Sequence, residues 1–147
     1  MDHVVAAANK KMKDYIQLAL NTELTTEAYQ NKVAERFNDV NTLRLTHAGM
    51  GLVTEAAEFI DVLKKYSMYG KEIDIHNLAE ELGDCQWYLA VAIDTLANLM
   101  GITANELDEK IKQTNIAKLK SRYPEKFNEY HAINRDLDSE RRILENG

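Results

Sequence analysis

Proline occurs once, at Pro124, and glycine only six times in 147 residues. A fold of many strands needs repeated turns, and turns draw on these two residues. Their scarcity excludes a sandwich or barrel and favours long helices. Cysteine also occurs once, at Cys85, so no intramolecular disulfide can form. A lone cysteine among apolar neighbours reads as a small core residue in a reducing cytoplasm. Basic residues are outnumbered, 18 Lys and Arg against 24 Asp and Glu, which leaves a net charge of −6. An acidic chain suits neither a nucleic-acid backbone nor an anionic bilayer, and an anionic substrate would need a cation as mediator. No apolar run approaches the ~18 residues of a membrane span. The opening stretch Met1-Asp-His-Val-Val-Ala-Ala-Ala-Asn-Lys-Lys lacks the basic-then-apolar order of a signal peptide and is not expected to be one.

What the chain does have is helical periodicity from end to end. The length fits one domain, residues 1–147, large enough to bury a core. A first helix is expected over residues 2–20, then a break at Asn21-Thr-Glu-Leu-Thr, where Thr25 or Thr26 can cap a shorter helix over 26–37. The first long helix runs over about 40–68, starting at Asn38-Asp39 or Asn41 and ending near Gly70. The second runs over about 75–100 and stops at Met100-Gly101. Thr103-Ala-Asn-Glu106 is a capping box that opens a further helix over 104–121. A last helix can begin at about Pro124, because proline is tolerated at the first helical position. Beyond residue 133 the chain is mostly charged and weakly amphipathic, and reads as an exposed helix or a partner-dependent arm. The expected fold is an all-α bundle with its core at about 26–124 and a C-terminal helical arm over 125–147.

Two acidic pairs stand out within this pattern, Glu55-Ala-Ala-Glu58 and Glu81-Leu-Gly-Asp84. Residues three apart on a helix are neighbours, so each pair presents two carboxylates together. At about 100° per residue, Ala48, Leu52, Phe59, Val62 and Tyr66 fall near Glu55, with Glu58 on the flank. Leu78, Cys85, Tyr88, Ala92, Leu96 and Leu99 fall near Glu81, with Asp84 on the flank. Each long helix thus carries a carboxylate inside its apolar stripe and a second at the edge. A charge buried without a partner is expensive, so such residues are paired, protonated or metal-bound. Packing the two helices antiparallel brings four carboxylates together, and four anions call for a cation. Glu55, Glu58, Glu81 and Asp84 are therefore the candidate ligands of a hard, oxygen-preferring ion, Mg²⁺ in the first instance with Mn²⁺ as substitute.

A second cluster lies on the helix that follows. Asn115, Lys118 and Arg122 share a face, with Lys112 on it too. Cations near a helix C-terminus complement the dipole; beside a metal site they can also hold the distal phosphates of a nucleotide. His47 can hydrogen-bond a base or sit in solvent. Trp87 points away from the Glu81 stripe, toward a base pocket or an interface with another helix or subunit.

Three stretches taken together resemble the MazG-like branch of the all-α nucleoside triphosphate pyrophosphohydrolases. They are His47-Ala-Gly-Met-Gly-Leu-Val-Thr-Glu-Ala-Ala-Glu-Phe, Glu80-Glu-Leu-Gly-Asp-Cys-Gln-Trp-Tyr-Leu and Lys118-Leu-Lys-Ser-Arg-Tyr-Pro. The resemblance implies Mg²⁺-dependent cleavage of nucleoside triphosphates to monophosphate and pyrophosphate, in housekeeping or remodelling of the nucleotide pool. It implies metal ligation by Glu55, Glu58, Glu81 and Asp84, activation of water by Glu55 or Glu58, and phosphate contacts from Asn115, Lys118 and Arg122. It also implies a homodimer or homotetramer in which a second subunit completes the bundle. Two other readings stay open: a non-catalytic nucleotide-binding or regulatory module, and a phosphoribosyl-nucleotide pyrophosphohydrolase. A ferritin-like di-iron bundle does not fit, since it needs a Glu-x-x-His pair on each of two helices and neither acidic pair has the histidine.

Overall fold

A computed structural model describes residues 15–146, and among these there is no strand. The chain divides into two compact units, Met1–Leu43 and Arg44–Gly147, with the boundary inside the first long helix.

In the first unit residues 15–20 are helical; the rest of the helix expected over 2–20 lies outside the described residues. A turn follows, and Thr25 caps the next segment by accepting a hydrogen bond from the Ala28 amide (3.1 Å). Helix α1 then covers residues 26–37, as α-helix at Thr26–Ala28 and Ala34–Phe37 with a π-helical turn at Tyr29–Val33 between them. Asp39 starts the first long helix: its carboxylate accepts from the Thr42 amide and the Thr42 hydroxyl, both at 2.9 Å. These bonds hold the Asp39 carboxyl below its usual range.

Helix α2 is Val40–Tyr69 and gives way at Gly70, whose φ of 64° is left-handed. Helix α3 is Ile75–Met100, capped by Asp74 at its start and stopped by Gly101 at φ 71°. The side chains that meet across α2 and α3 fix their direction. Arg44 pairs with Asp94, His47 and Gly51 both meet Tyr88, and Glu55 meets Glu81 and Asp84. As the number rises on one helix it falls on the other, so the two run antiparallel.

Helix α4, Ala104–Arg122, opens with the full capping box between Thr103 and Glu106. The expected helix at Pro124 does not form. Tyr123 has no short side-chain acceptor to cap a helix there, and Asn128 does: it accepts from the Tyr130 and His131 amides and starts α5, Glu129–Ile133. Helix α6, Leu137–Asn146, meets α4 through Glu140, with most of its other described side chains exposed. Glu140, only 5% exposed, receives Nε and a terminal nitrogen of Arg122 at 2.8 and 2.6 Å, and Arg135 joins the same carboxylate. The two guanidinium groups hold the Glu140 carboxyl down to about 2.

The apolar core of the described residues is small. Ala48, Val62, Ala97 and Leu107 are buried, while Leu52 and Phe59 are half-buried and Tyr66 is exposed. Met50, Val53 and Ile60 on α2, and Leu82, Trp87, Leu89 and Leu99 on α3, are exposed. No single helix among the described residues is long and apolar enough to cross a membrane.

Candidate metal and nucleotide site

Antiparallel packing puts the two acidic pairs opposite each other. One carboxylate oxygen each from Glu55, Glu81 and Asp84 lies within 4.8 Å of the others. Glu81 is buried, Glu55 half-buried and Asp84 exposed, so the group opens from the helix interface toward solvent. Glu58 is exposed and outside this group, although its charge reaches Glu81.

Glu81 carries the electrostatic tension. Burial pushes its carboxyl up, the hydrogen bond from Asn77 opposes that, and the charges of Glu58, Glu55 and Glu80 add to the rise. Asn77 Nδ2 donates to Glu81 Oε1 at 2.6 Å, from one turn earlier on α3. Among the described residues none of the four acids forms an ion pair, whereas Asp61, Asp94, Asp108, Glu140 and Glu145 all do. Three carboxylate oxygens with no histidine or cysteine in the group, and no ion pair among the described residues to offset them, suit a hard divalent ion.

Beside the acids is an aromatic cluster. The ring centroids of Trp87 and Tyr88 are 4.9 Å apart, and His47 lies 5.5 Å from Tyr88 and 6.2 Å from Trp87, all edge to face. Gly51 makes this possible: a Cβ there would fall onto ring atoms Cδ1, Cε1 and Cζ of Tyr88. His47, Gly51 and Glu55 are spaced by four on α2, and Asp84 and Tyr88 by four on α3. The rings thus sit about 5–12 Å along the helix axes from the carboxylates. Trp87 and His47 are exposed.

The basic residues are placed differently. Asn115 and Lys118 line a cavity of about 390 Å³ with Met100, Leu107, Lys110 and Leu144 among its walls, and none of the four acids borders it. Arg122 is engaged by Glu140. The spacing that puts Asn115, Lys118 and Arg122 on one face holds; α6 engages the Arg122 end of that face, while Asn115 stays exposed.

Gly51, Asn77 and Tyr88 were not singled out by sequence reasoning as site residues. Asn77 had a usable signal, an amide four residues before a carboxylate in an apolar stripe. Gly51 had none, because a helical glycine declares its neighbour only once the partner helix is in place.

Residues 45–127, more than half of the chain, match the family described as MazG nucleotide pyrophosphohydrolase domain. No curated protein and no solved structure matches.

Proposed function

Since the chain belongs to the MazG nucleotide pyrophosphohydrolase family, we propose that it hydrolyses (deoxy)nucleoside triphosphates to monophosphate and pyrophosphate with Mg²⁺ bound at Glu55, Glu81 and Asp84. The observation that carries this reading is the convergence of those three carboxylate oxygens, unpaired by any described cation, inside the matched region. The family is generally dependent on a divalent metal. Bound there, the ion would neutralise triphosphate charge and acidify a coordinated water.

The residues of the chain divide the remaining work. Glu58, exposed and outside the three-oxygen group, is the carboxylate left to orient the attacking water and accept its proton. His47 and Trp87, with Tyr88 between them, offer ring faces and edges for a base. Asn115 and Lys118 are donors for the leaving pyrophosphate. Arg122 can join them only where Glu140 releases it. The exposed apolar side chains of α2 and α3 support a homodimer or homotetramer in which a second copy covers them. The expected setting is a reducing cytoplasm.

The test is release of pyrophosphate from a panel of canonical, deoxy and damaged nucleoside triphosphates and a phosphoribosyl nucleotide, with Mg²⁺ and with chelator. Metal-dependent formation of monophosphate and pyrophosphate is the expected result, and the panel ranks base and sugar. Saturable nucleotide binding with no product from any of them would replace this reading with a binding module.

A further inference from the structure

Glu81 is the one acid of the cluster that is both buried and held by a neighbouring side chain. Asn77 Nδ2 sits 2.6 Å from its Oε1. Asn77 is itself fixed from below, because its backbone amide donates to the Asp74 carboxylate at 3.0 Å in the cap of α3. A relay of local contacts therefore runs from the start of the helix into the acidic cluster: Asp74 holds the first turn, the first turn places Asn77, and Asn77 holds one oxygen of Glu81. A carboxylate has two oxygens, each able to accept. The amide on Oε1 restrains the rotation of the carboxylate, one oxygen of which lies within 4.8 Å of oxygens of Glu55 and Asp84.

We propose that Asn77 is a positioning residue, which fixes the rotation of the Glu81 carboxylate so that it presents one oxygen to a divalent cation held with Glu55 and Asp84. This rests on the metal-site reading above. As a helix-supporting pair alone, Asn and Glu four apart would contribute little. Three features favour the positioning role. The acceptor is 5% exposed, where a rotamer error cannot be repaired by water. The bond is short and charge-assisted. And Glu55 and Asp84 place carboxylate oxygens within 4.8 Å of the Glu81 carboxylate, so like charges repel this side chain unless something holds it. Partners one step removed from a metal typically change its affinity by 10–100-fold when lost.

The experiment reads binding of Mn²⁺ alone to the full chain by electron paramagnetic resonance, in wild type, Asn77→Ala, Asn77→Leu and Glu81→Gln, with thermal melting of each metal-free protein alongside. Leucine keeps the volume of asparagine and removes the donor, so it answers the question if the alanine variant folds poorly. The expected result is a Mn²⁺ dissociation constant raised about 10–100-fold in both Asn77 variants, with metal-free melting close to wild type. Wild-type affinity in Asn77→Leu, while Glu81→Gln has lost the ion, would overturn the positioning role and leave the metal site standing. No Mn²⁺ binding by wild type, or equal binding by wild type and Glu81→Gln, would overturn the metal-site reading itself.

Discussion

Alanine at Gly51 should destabilise the protein, while alanine at two other helical glycines should stabilise it. Glycine inside a helix is about 1 kcal/mol less favourable than alanine. At Gly49 and Gly83 an added methyl meets nothing within 4 Å, so each substitution should gain up to about 1 kcal/mol. At Gly51 the same methyl lands on three ring atoms of Tyr88, and the ring cannot turn aside freely because it also meets Trp87 and His47. Overpacking of this kind costs about 1–3 kcal/mol. Set against the propensity gain, the net loss is up to about 2 kcal/mol. For a chain of this length 1 kcal/mol corresponds to roughly 3–5 °C in Tm. Thermal melting of Gly49→Ala, Gly83→Ala and Gly51→Ala should therefore give shifts of opposite sign, with altered Trp87 fluorescence only in the last. The decisive control is Gly51→Ala in a Tyr88→Ala background, where the clash is gone and the substitution should become neutral or stabilising. A Gly51→Ala protein as stable as Gly49→Ala, or one equally destabilised without the Tyr88 ring, would refute the packing argument.

Other outcomes can be read from the same assays. Glu81→Gln removes the buried charge from the acidic cluster, so in chelator it should melt higher than wild type while losing Mg²⁺-dependent pyrophosphate release by at least about 100-fold; a variant that keeps its activity rejects the metal site. The Glu140 carboxyl, held at about 2 by Arg122 and Arg135, lies below its ordinary 4.5. Its stabilisation is therefore present above about 4.5 and lost as pH falls toward about 2. Denaturant midpoints between pH 5 and 2.5 should fall in wild type and flatten in Glu140→Gln. Glu81 has the opposite sign. Its carboxyl is raised, so metal-free wild type should gain stability from this group as pH falls toward 4.5, a gain absent from Glu81→Gln. Finally, Arg122→Ala and Glu140→Ala should both lower Tm, because each breaks the Arg122–Glu140 ion pair, whereas Lys118→Ala should leave Tm unchanged and raise KM for the triphosphate about tenfold. If Arg122→Ala raises KM without lowering Tm, the ion pair is not its main role.

The parts of the fold legible in the sequence are those decided by chemistry within one turn. Thr103 with Glu106, Gly70 and Gly101 mark helix ends because a cap or a left-handed residue acts on its immediate neighbours. The carboxylates were legible for a related reason: spacing of three puts two acids on one face whatever the partner helix does. What stayed hidden depends on contacts between distant residues. Glu140 looked like one charge among many in a polar tail, yet it is buried, and an apolar count cannot see a helix whose packed face is a carboxylate between two arginines. For the same reason Arg122 could be assigned to a face but not to a partner 18 positions away. Pro124 misled because its fitness for a first turn says nothing about whether the residue before it can cap.

The way the chain treats its acids bears on why the cluster exists. Asp61 is matched by Lys64 and Lys65, Asp94 by Arg44, Asp108 by Lys112, Glu145 by Arg141 and Glu140 by two arginines. Basic residues are scarcer than acidic ones, and they go to acids outside the site. Glu55, Glu81 and Asp84 instead face one another, in the part of the helix pair where repulsion should drive α2 and α3 apart. Attractive contacts bracket them on one side: the Arg44–Asp94 pair at 2.7 Å lies at the far end, and Tyr88 on Gly51 lies between that pair and the acids. The interface therefore holds like charges together by means of neighbours that attract. A local rule broken and compensated nearby is what a functional site looks like in energetic terms. It follows that stability and activity should oppose each other here. Neutralising Glu81 should relax the helix pair and remove the cation site in one step, whereas neutralising Asp94 should loosen the pair and leave the ligands intact.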